Sequence, residues 1–543
     1  MRLTLNNLSL HSRLSQMSCI LTNAHILSMA GNSRNFESVD SILVEAGLIK
    51  VLGSLAECKL AAKSSPEIID LQGKVALPAL CDAHTHIVEL AKGRFQLKLR
   101  DLTSIKAIRE AAHNYRKANP ILPDWILGDG WDVNVIDEPQ ALNRQLLDEP
   151  FPDVPVALFS KDYHAKWCNT LALKISGLLQ PDASMKQLVK LDDKGLATGI
   201  IYEDATLHIE KFYTPANPVL VQTALKNELQ ELAALGIGSF HSMEGSNAAE
   251  ALQTALINGA NFKCVWHFPL DILDEMIAKG IRTHQDQSAF TIGGVKLFAD
   301  GALGSQTAAM FAPYSNSDGN TGILRHSEAE LDEIVAKAAK AGISSTVHAI
   351  GDRAVHTVIK VLKRHQAPQL RHRIEHLQCI SDQDLDELKD SSIALSVQPV
   401  HLANDITMIQ NYWQDIQHQA YRFKDMIAVG NPLAFGSDAP IETINPFAGI
   451  YAATQRKLHN DPHAESWMPG QMIEPFDALR AYTLGAAQLS FSQHLRGSLE
   501  PGKEANICVI DDWRNQPPEF WLAQRSYLTM IDGKIIHNKI NTY

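Results

Sequence analysis

Positive charge is in deficit throughout this 543-residue chain: 49 lysines and arginines face 61 aspartates and glutamates, a formal net charge of −12. Nucleic acid and anionic membranes are bound through clustered positive charge, so neither is an expected partner and a small molecule is. Cysteine is sparse and unpatterned. The seven, Cys19, Cys58, Cys81, Cys168, Cys264, Cys379 and Cys508, include no CxxC pair and read as reduced thiols of a cytoplasmic protein. No apolar run approaches the roughly 18 to 20 residues of a membrane-spanning helix, and no secretory-type hydrophobic segment precedes Cys19. Acid is missing from the first 36 residues, where Arg2, Arg13 and Arg34 stand among serines. An organellar transit peptide is therefore the alternative to a cytoplasmic location, with translation from Met17 the simpler explanation.

What is present is globular: 45% hydrophobic and 20% charged residues, enough to bury a large core. From Cys19 to about Ala76, short β-like runs are broken by turns (CILTNAHILSM, SILVEAGLIKVLG, EIIDLQGKVAL), and the C-terminal ANICVID and SYLTMIDGKIIHN repeat that character. The expectation is a small composite β-sandwich domain from residues 19–76 and 491–543. Between them, β-branched runs alternate with amphipathic helical stretches such as HSEAELDEIVAKAAKAG and SDQDLDELKD, the pattern of βα units. VALPALCDAHTHI, GIGSFHS, FKCVWHF, GGVKLFADG, SSTVHAIGD, RHRIEHL, IALSVQP and PLAFGSDAP can be counted as eight strands. Eight is the number that closes a parallel barrel. The predicted fold is thus α/β, a (β/α)8 TIM-like barrel over residues 77–490. A large insertion follows strand one, at about 89–218, with strand-like pieces DWILGDGWD and VPVALFSKDYH, and is placed to cap the active site.

Chemistry gathers at the strand ends. In a strand alternate side chains share a face, so His84 and His86 of His-Thr-His can share a metal ion. Lys296 lies inside the apolar run GVKLFADG, where a charge must be paired or removed. A salt bridge to Asp300 would pair it; reaction of the neutral amine with carbon dioxide would remove it, giving a carbamate able to bridge two metals. His348 and His376 end TVHAIGD and RIEHLQ, and imidazole is a common metal ligand. Asp438 follows the last strand in GSDAP. Each alone reads as readily as a core histidine or a capping aspartate. Placed on strands one, four, five, six and eight, all six converge on the C-terminal mouth of one barrel, where barrel enzymes keep their sites.

At these residues the sequence resembles the amidohydrolase superfamily, within it the branch of N-substituted formamide deformylase and YtcJ-like proteins. The resemblance spans nearly the whole chain: LPALCDAHTHI, GWD at Gly130–Asp132, KDYHAKWCN, GVKLFADGALGS, HAIGDRA, RIEHLQ, GSDAP and GSLEPGKEANICVID. Ala79 and Asn506 depart from the branch, which has Gly and often Asp there; neither touches a candidate ligand. The resemblance implies one or two divalent ions, zinc expected. His84 and His86 would hold the buried metal, a carbamate on Lys296 would bridge, and His348 and His376 would hold the second. Asp438 would contact the first metal, accept a proton from the attacking water and return it to the leaving nitrogen. It also implies hydrolysis of a carbon–nitrogen bond other than a peptide bond, in a small N-acyl or N-formyl amide.

Trp131, His164 and Arg353 are candidates for contact with the substrate; packing, a hydrogen-bonded histidine and an ion pair are the competing readings. A homo-oligomer is allowed for, because large barrel hydrolases often self-associate. Two rival readings differ from this one in their residues. A mononuclear deaminase of the same superfamily would carry a glutamate three residues after the strand-five histidine, where this chain has Gly351. A non-catalytic barrel scaffold would have shed ligands, and none of the six is missing.

Overall fold

The eight predicted barrel runs form one eight-stranded sheet, with its strands in sequence order. They are Leu80–Thr85, Ile237–Ser242, Lys263–Pro269, Phe290–Phe298, Ser345–Ala349, Arg373–His376, Ala394–Val397 and Leu433–Phe435. Every neighbouring pair is parallel. This computed structural model describes residues 18–31, 34–213, 216–284, 288–457 and 463–540. The acid-poor N-terminal stretch therefore lies, up to residue 17, outside the described residues.

The first and eighth strands carry no ladder between them, yet the barrel is drawn shut at its mouth. The N–H of Asp438 donates to the carbonyl of His84 at 2.7 Å, and the N–H of His86 donates to that of Ala439 at 2.8 Å. One Oδ1 of Asp82 accepts N–H groups from both sides, His84 at 3.1 Å and Ser437 at 3.0 Å. Such an approach leaves no room for a side chain: a Cβ on Gly436 would lie 2.5 Å from the His84 nitrogen.

The outer helices follow from local sequence. Ser327 opens Glu328–Lys340 with a capping box to Glu330, and the helix buries Leu331, Val335 and Ala338 at helical spacing. Ser381 caps Asp382–Lys389 in the same way through its side chain. The strands between them are buried on both faces, as a parallel sheet covered by helices must be.

After the first barrel strand the chain builds a separate six-stranded sheet, whose strands include Ile126–Trp131, Val156–Ser160, Ala165–Cys168 and Ala197–Tyr202. The runs DWILGDGWD and VPVALFSKDYH are parallel neighbours in it. At the termini the expected sandwich is built from two sheets. Ser18–Thr22, Ser41–Glu45, Leu48–Gly53 and Glu67–Asp70 form one, while His25–Ile26 and Val75–Pro78 join Ile507–Ile510, Leu528–Ile531 and Lys534–Asn538 in the other. Their facing residues, among them Leu21, Val44, Ile507 and Met530, share one core. All seven cysteines are buried and free. Among the described residues no helix is long and apolar enough to cross a membrane.

The tight closure generates a stability prediction. Gly436→Ala forces a methyl against the His84 backbone and should lower unfolding free energy by about 1–3 kcal/mol, read from urea titration. An unchanged midpoint would mean that the two strands are not docked this closely.

Candidate metal centre

Period two along the first strand turns Asp82 and His84 to the same side, and His86 follows the strand end. His84 is 1% exposed and its orientation is set from below: Nδ1 donates to Oε2 of Glu375 at 2.6 Å. Nε2 is thereby left facing the mouth, 3.3 Å from Oδ1 of Asp438, and Nε2 of His86 lies 3.3 Å from the same oxygen. His376 and Asp438 are aimed by the backbone, with φ of +71° and +59°, left-handed values uncommon for residues with a Cβ. Nδ1 of His376 is 4.0 Å from Oδ2 of Asp438.

The tightest group is His84, His376 and Asp438, whose ligand atoms all lie within 4.8 Å of one another. Two of its buried atoms, Nδ1 of His376 and Oδ1 of Asp438, have no hydrogen-bond partner among the described residues. Two imidazole nitrogens and a carboxylate oxygen with unused lone pairs are the donor set of a divalent cation, so the residues fit a metal. Their protonation agrees. Burial draws His84 down to about 4 and holds His376 and His348 well below the usual imidazole range. For Asp438 burial acts upward, but His84, His401, His86 and His376 around it keep the carboxyl well below its ordinary value.

The remaining predicted ligands surround this group. The His348 ring stands 4.4 Å from that of His376, and its Nε2–H donates to the carbonyl of Gly301 at 2.9 Å. Lys296 is 4% exposed on the fourth strand and, among the described residues, makes no ion pair. Burial lowers its ammonium to about 8, against the pull of Glu375 and Asp438. Asp300, the alternative partner, is occupied otherwise: its carboxylate accepts the N–H groups of Ala309, Ile350 and Gly351 at 2.8–3.1 Å.

A family model, the amidohydrolase family, matches residues 67–537. The chain belongs to the amidohydrolase family. It is 30% identical to the amidohydrolase YtcJ of Bacillus subtilis, over 93% of this chain and 97% of that one. The N-substituted formamide deformylase of Arthrobacter pascens is 24% identical, over 91% and 93%. A crystal structure of a metal-dependent hydrolase from Pyrococcus horikoshii superposes with a TM-score of 0.75 at 27% identity, covering 92% of this chain and 98% of that one.

Above the metal group of this amidohydrolase opens a cavity of about 2360 Å³, walled by the barrel mouth and by the insertion. His164 is on that wall. Its Nδ1 lies 3.1 Å from Oε1 of Glu203, and its ring is 5.4 Å from that of His348. Burial opposes the charged imidazole, but Glu203 outweighs it and raises the group to about 9. Trp131 borders the cavity too, although its indole is 3% exposed, donates to the Leu158 carbonyl at 2.8 Å and meets Trp167 edge-on. Arg353 is not among the cavity-lining residues: the helix Asp352–Arg364 starts by turning it towards the 309–321 segment, where Nη2 donates to the Thr321 carbonyl at 3.4 Å.

Sequence reasoning missed four residues here. Glu375 and its partner Arg373 carried a usable signal, because R-x-E inside a buried strand puts two charges on one face. His401 lies with Nε2 3.5 Å from Oδ2 of Asp438. Glu203 has no local signal, being 39 residues from the histidine it holds.

Glu375→Gln keeps the shape of the His84 partner and removes its charge. Metal affinity should fall about 10- to 100-fold in a chelator competition. Stability should drop by about 3–5 kcal/mol, since Arg373 stays buried without a counter-charge. Unaltered affinity would sink the orienting role.

Proposed function

We propose that this protein hydrolyses a carbon–nitrogen bond, other than a peptide bond, in a small N-acyl or N-formyl amide. The observation that carries the reading is the His84–His376–Asp438 group, two of its atoms partnerless among the described residues, open to a large cavity at the mouth of an amidohydrolase barrel. A bound divalent cation supplies there a water acidified towards neutral pH and an electrophile for the substrate carbonyl. The protein does the rest. Asp438, anionic and central, receives the proton of the attacking water at its carboxylate and returns it to the leaving nitrogen. His84 and His376, neutral by burial, offer lone pairs and do not compete for that proton. The formyl preference rests on the relative from Arthrobacter pascens, whose name states its substrate class.

Zinc is the ion proposed, with room for a second. His84 and His86 would hold one, and His348 and His376 the other. Lys296, as a carbamate, would link them. Support for the last role is the absence of any ion pair at Lys296 among the described residues, together with a burial that favours its neutral amine. Trp131 and His164 are proposed as residues on the substrate side.

Zinc-loaded protein should contain stoichiometric metal that disappears in the His84→Ala, His86→Ala double variant, by elemental analysis. Metal absent from both would return the scaffold reading. A screen of N-formyl and N-acyl amines should find turnover, and activity confined to esters or lactones would overturn the amide reading. Lys296→Ala should abolish turnover, with partial recovery in acetate or propionate; undiminished turnover in the variant would sink the bridged arrangement.

A further inference from the structure

Two glycines of the insertion bring one arginine to the barrel. The short strand Leu97–Lys98 runs parallel to Gly128–Asp129, and the N–H of Leu99 continues the ladder to the Asp129 carbonyl at 2.9 Å. The approach is too close for side chains. A Cβ on Gly128 would lie 2.1 Å from the Leu97 carbonyl oxygen, and one on Gly130, whose φ is +102°, would lie 2.5 Å from the backbone nitrogen of Arg100. Gly130 opens the GWD motif, and its missing side chain is what lets Arg100 sit where it does.

The Arg100 guanidinium leaves the insertion and spans two successive carbonyls of the barrel, Nη2 donating to Pro440 at 2.5 Å and Nη1 to Ile441 at 2.6 Å. Among the described residues these are the only hydrogen bonds of its side chain. Both carbonyls belong to the turn that carries Asp438. The first barrel strand holds that turn from the other side, where the Asp438 N–H meets the His84 carbonyl and the Ala439 carbonyl accepts from His86. Within the turn the Ile441 N–H donates to the Asp438 carbonyl at 2.9 Å, so every carbonyl from Asp438 to Ile441 is taken. The next residue, Glu442, is caught by its side chain: Nδ2 of Asn404 donates to Oε1 at 2.8 Å, and Nζ of Lys161, also from the insertion, lies 3.5 Å from the same oxygen. At φ +59° Asp438 holds a conformation that its surroundings must enforce. Arg100 does so from outside with charge-assisted bonds, which are about twice as strong as neutral ones.

We propose that Arg100 is a positioning residue: through the Pro440 and Ile441 carbonyls it fixes the Asp438 turn, so the metal centre keeps its carboxylate in place only while the insertion is docked. A guanidinium serves both carbonyls at once and an ammonium only one, which makes lysine a partial substitute. This rests on the reading of Asp438 as metal ligand and proton carrier.

The test measures hydrogen–deuterium exchange of the metal-free full chain, which needs neither zinc nor substrate, beside chelator competition for zinc and turnover of an N-formyl amine. In Arg100→Ala the amides of residues 436–442 should exchange at least about tenfold faster, while those of the strands Ser345–Ala349 and Ala394–Val397 keep the parent's rates. Zinc should bind about tenfold more weakly. Turnover should show kcat lowered about 10- to 100-fold, with KM within about threefold of the parent's. Arg100→Lys should stand between parent and Arg100→Ala in all three readouts. Unchanged exchange over residues 436–442 in Arg100→Ala would overturn the proposal, as would exchange accelerated throughout the barrel in both variants, or a lysine variant that exchanges as fast as the alanine one. The two readings fail separately. A parent that hydrolyses no amide, yet loosens at 436–442 and loses zinc affinity without Arg100, leaves the positioning role standing; equal exchange and equal amide turnover in parent and Arg100→Ala leave only the amide reading.

Discussion

Two opposite charges sealed inside the barrel, Arg373 and Glu375, aim the metal group above them. Arg373 is 1% exposed and Glu375 fully buried, where an unpaired charge would be ruinous. They are not unpaired. The Arg373 guanidinium donates to both oxygens of Glu375, to Nδ1 of His241 at 2.8 Å, to Oγ of Ser396 at 2.9 Å and to the Ala83 carbonyl at 2.7 Å. His241 and His267 can accept because burial and the neighbouring guanidinium keep their imidazoles far below the usual range. Oε2 of Glu375, shared with Arg373, also accepts from His84, and that bond fixes which nitrogen of His84 looks upward.

From above, the site depends on how the barrel closes. The last strand is only Leu433–Phe435, and the segment after it does the closing. The same turn that carries the Asp438 N–H to the His84 carbonyl sets φ of Asp438 to +59°, so closure and placement of the carboxylate are one event. His376 reaches the centre likewise, through a left-handed turn at its strand end instead of the regular pleat. Unfavourable backbone at two neighbouring functional groups is a local penalty that the surrounding hydrogen bonds offset.

These two features explain what the sequence could reveal. Strand number and order were legible, because strands buried on both faces read as apolar runs and each candidate ligand interrupts such a run at its end. The convergence of six groups followed from topology alone. The turn conformations were not legible, since nothing in RIEHL or GSDAP announces a left-handed His or Asp. Nor was the partnership of Glu203 with His164, made across strands far apart in the chain. Nor was the direction of Arg353, since proximity to His348 in sequence says nothing about helix phase. At the termini the sandwich was legible from its runs, but not which of its two sheets each strand joins, because period two does not say so.

Lys296 shows how the parts act on one another. Its ammonium already depresses His84 through the field it exerts, and the reverse holds for any cation near His84. A divalent ion in the His84–His376–Asp438 group would repel that ammonium in a region stripped of water, where charges are weakly screened. Glu375 cannot relieve it, being committed to Arg373 and His84. Cation binding and a protonated Lys296 therefore oppose each other. Whatever fills the metal group drives the lysine towards its neutral amine, the form in which it can take up carbon dioxide and turn from a competitor of the metal into an anionic partner.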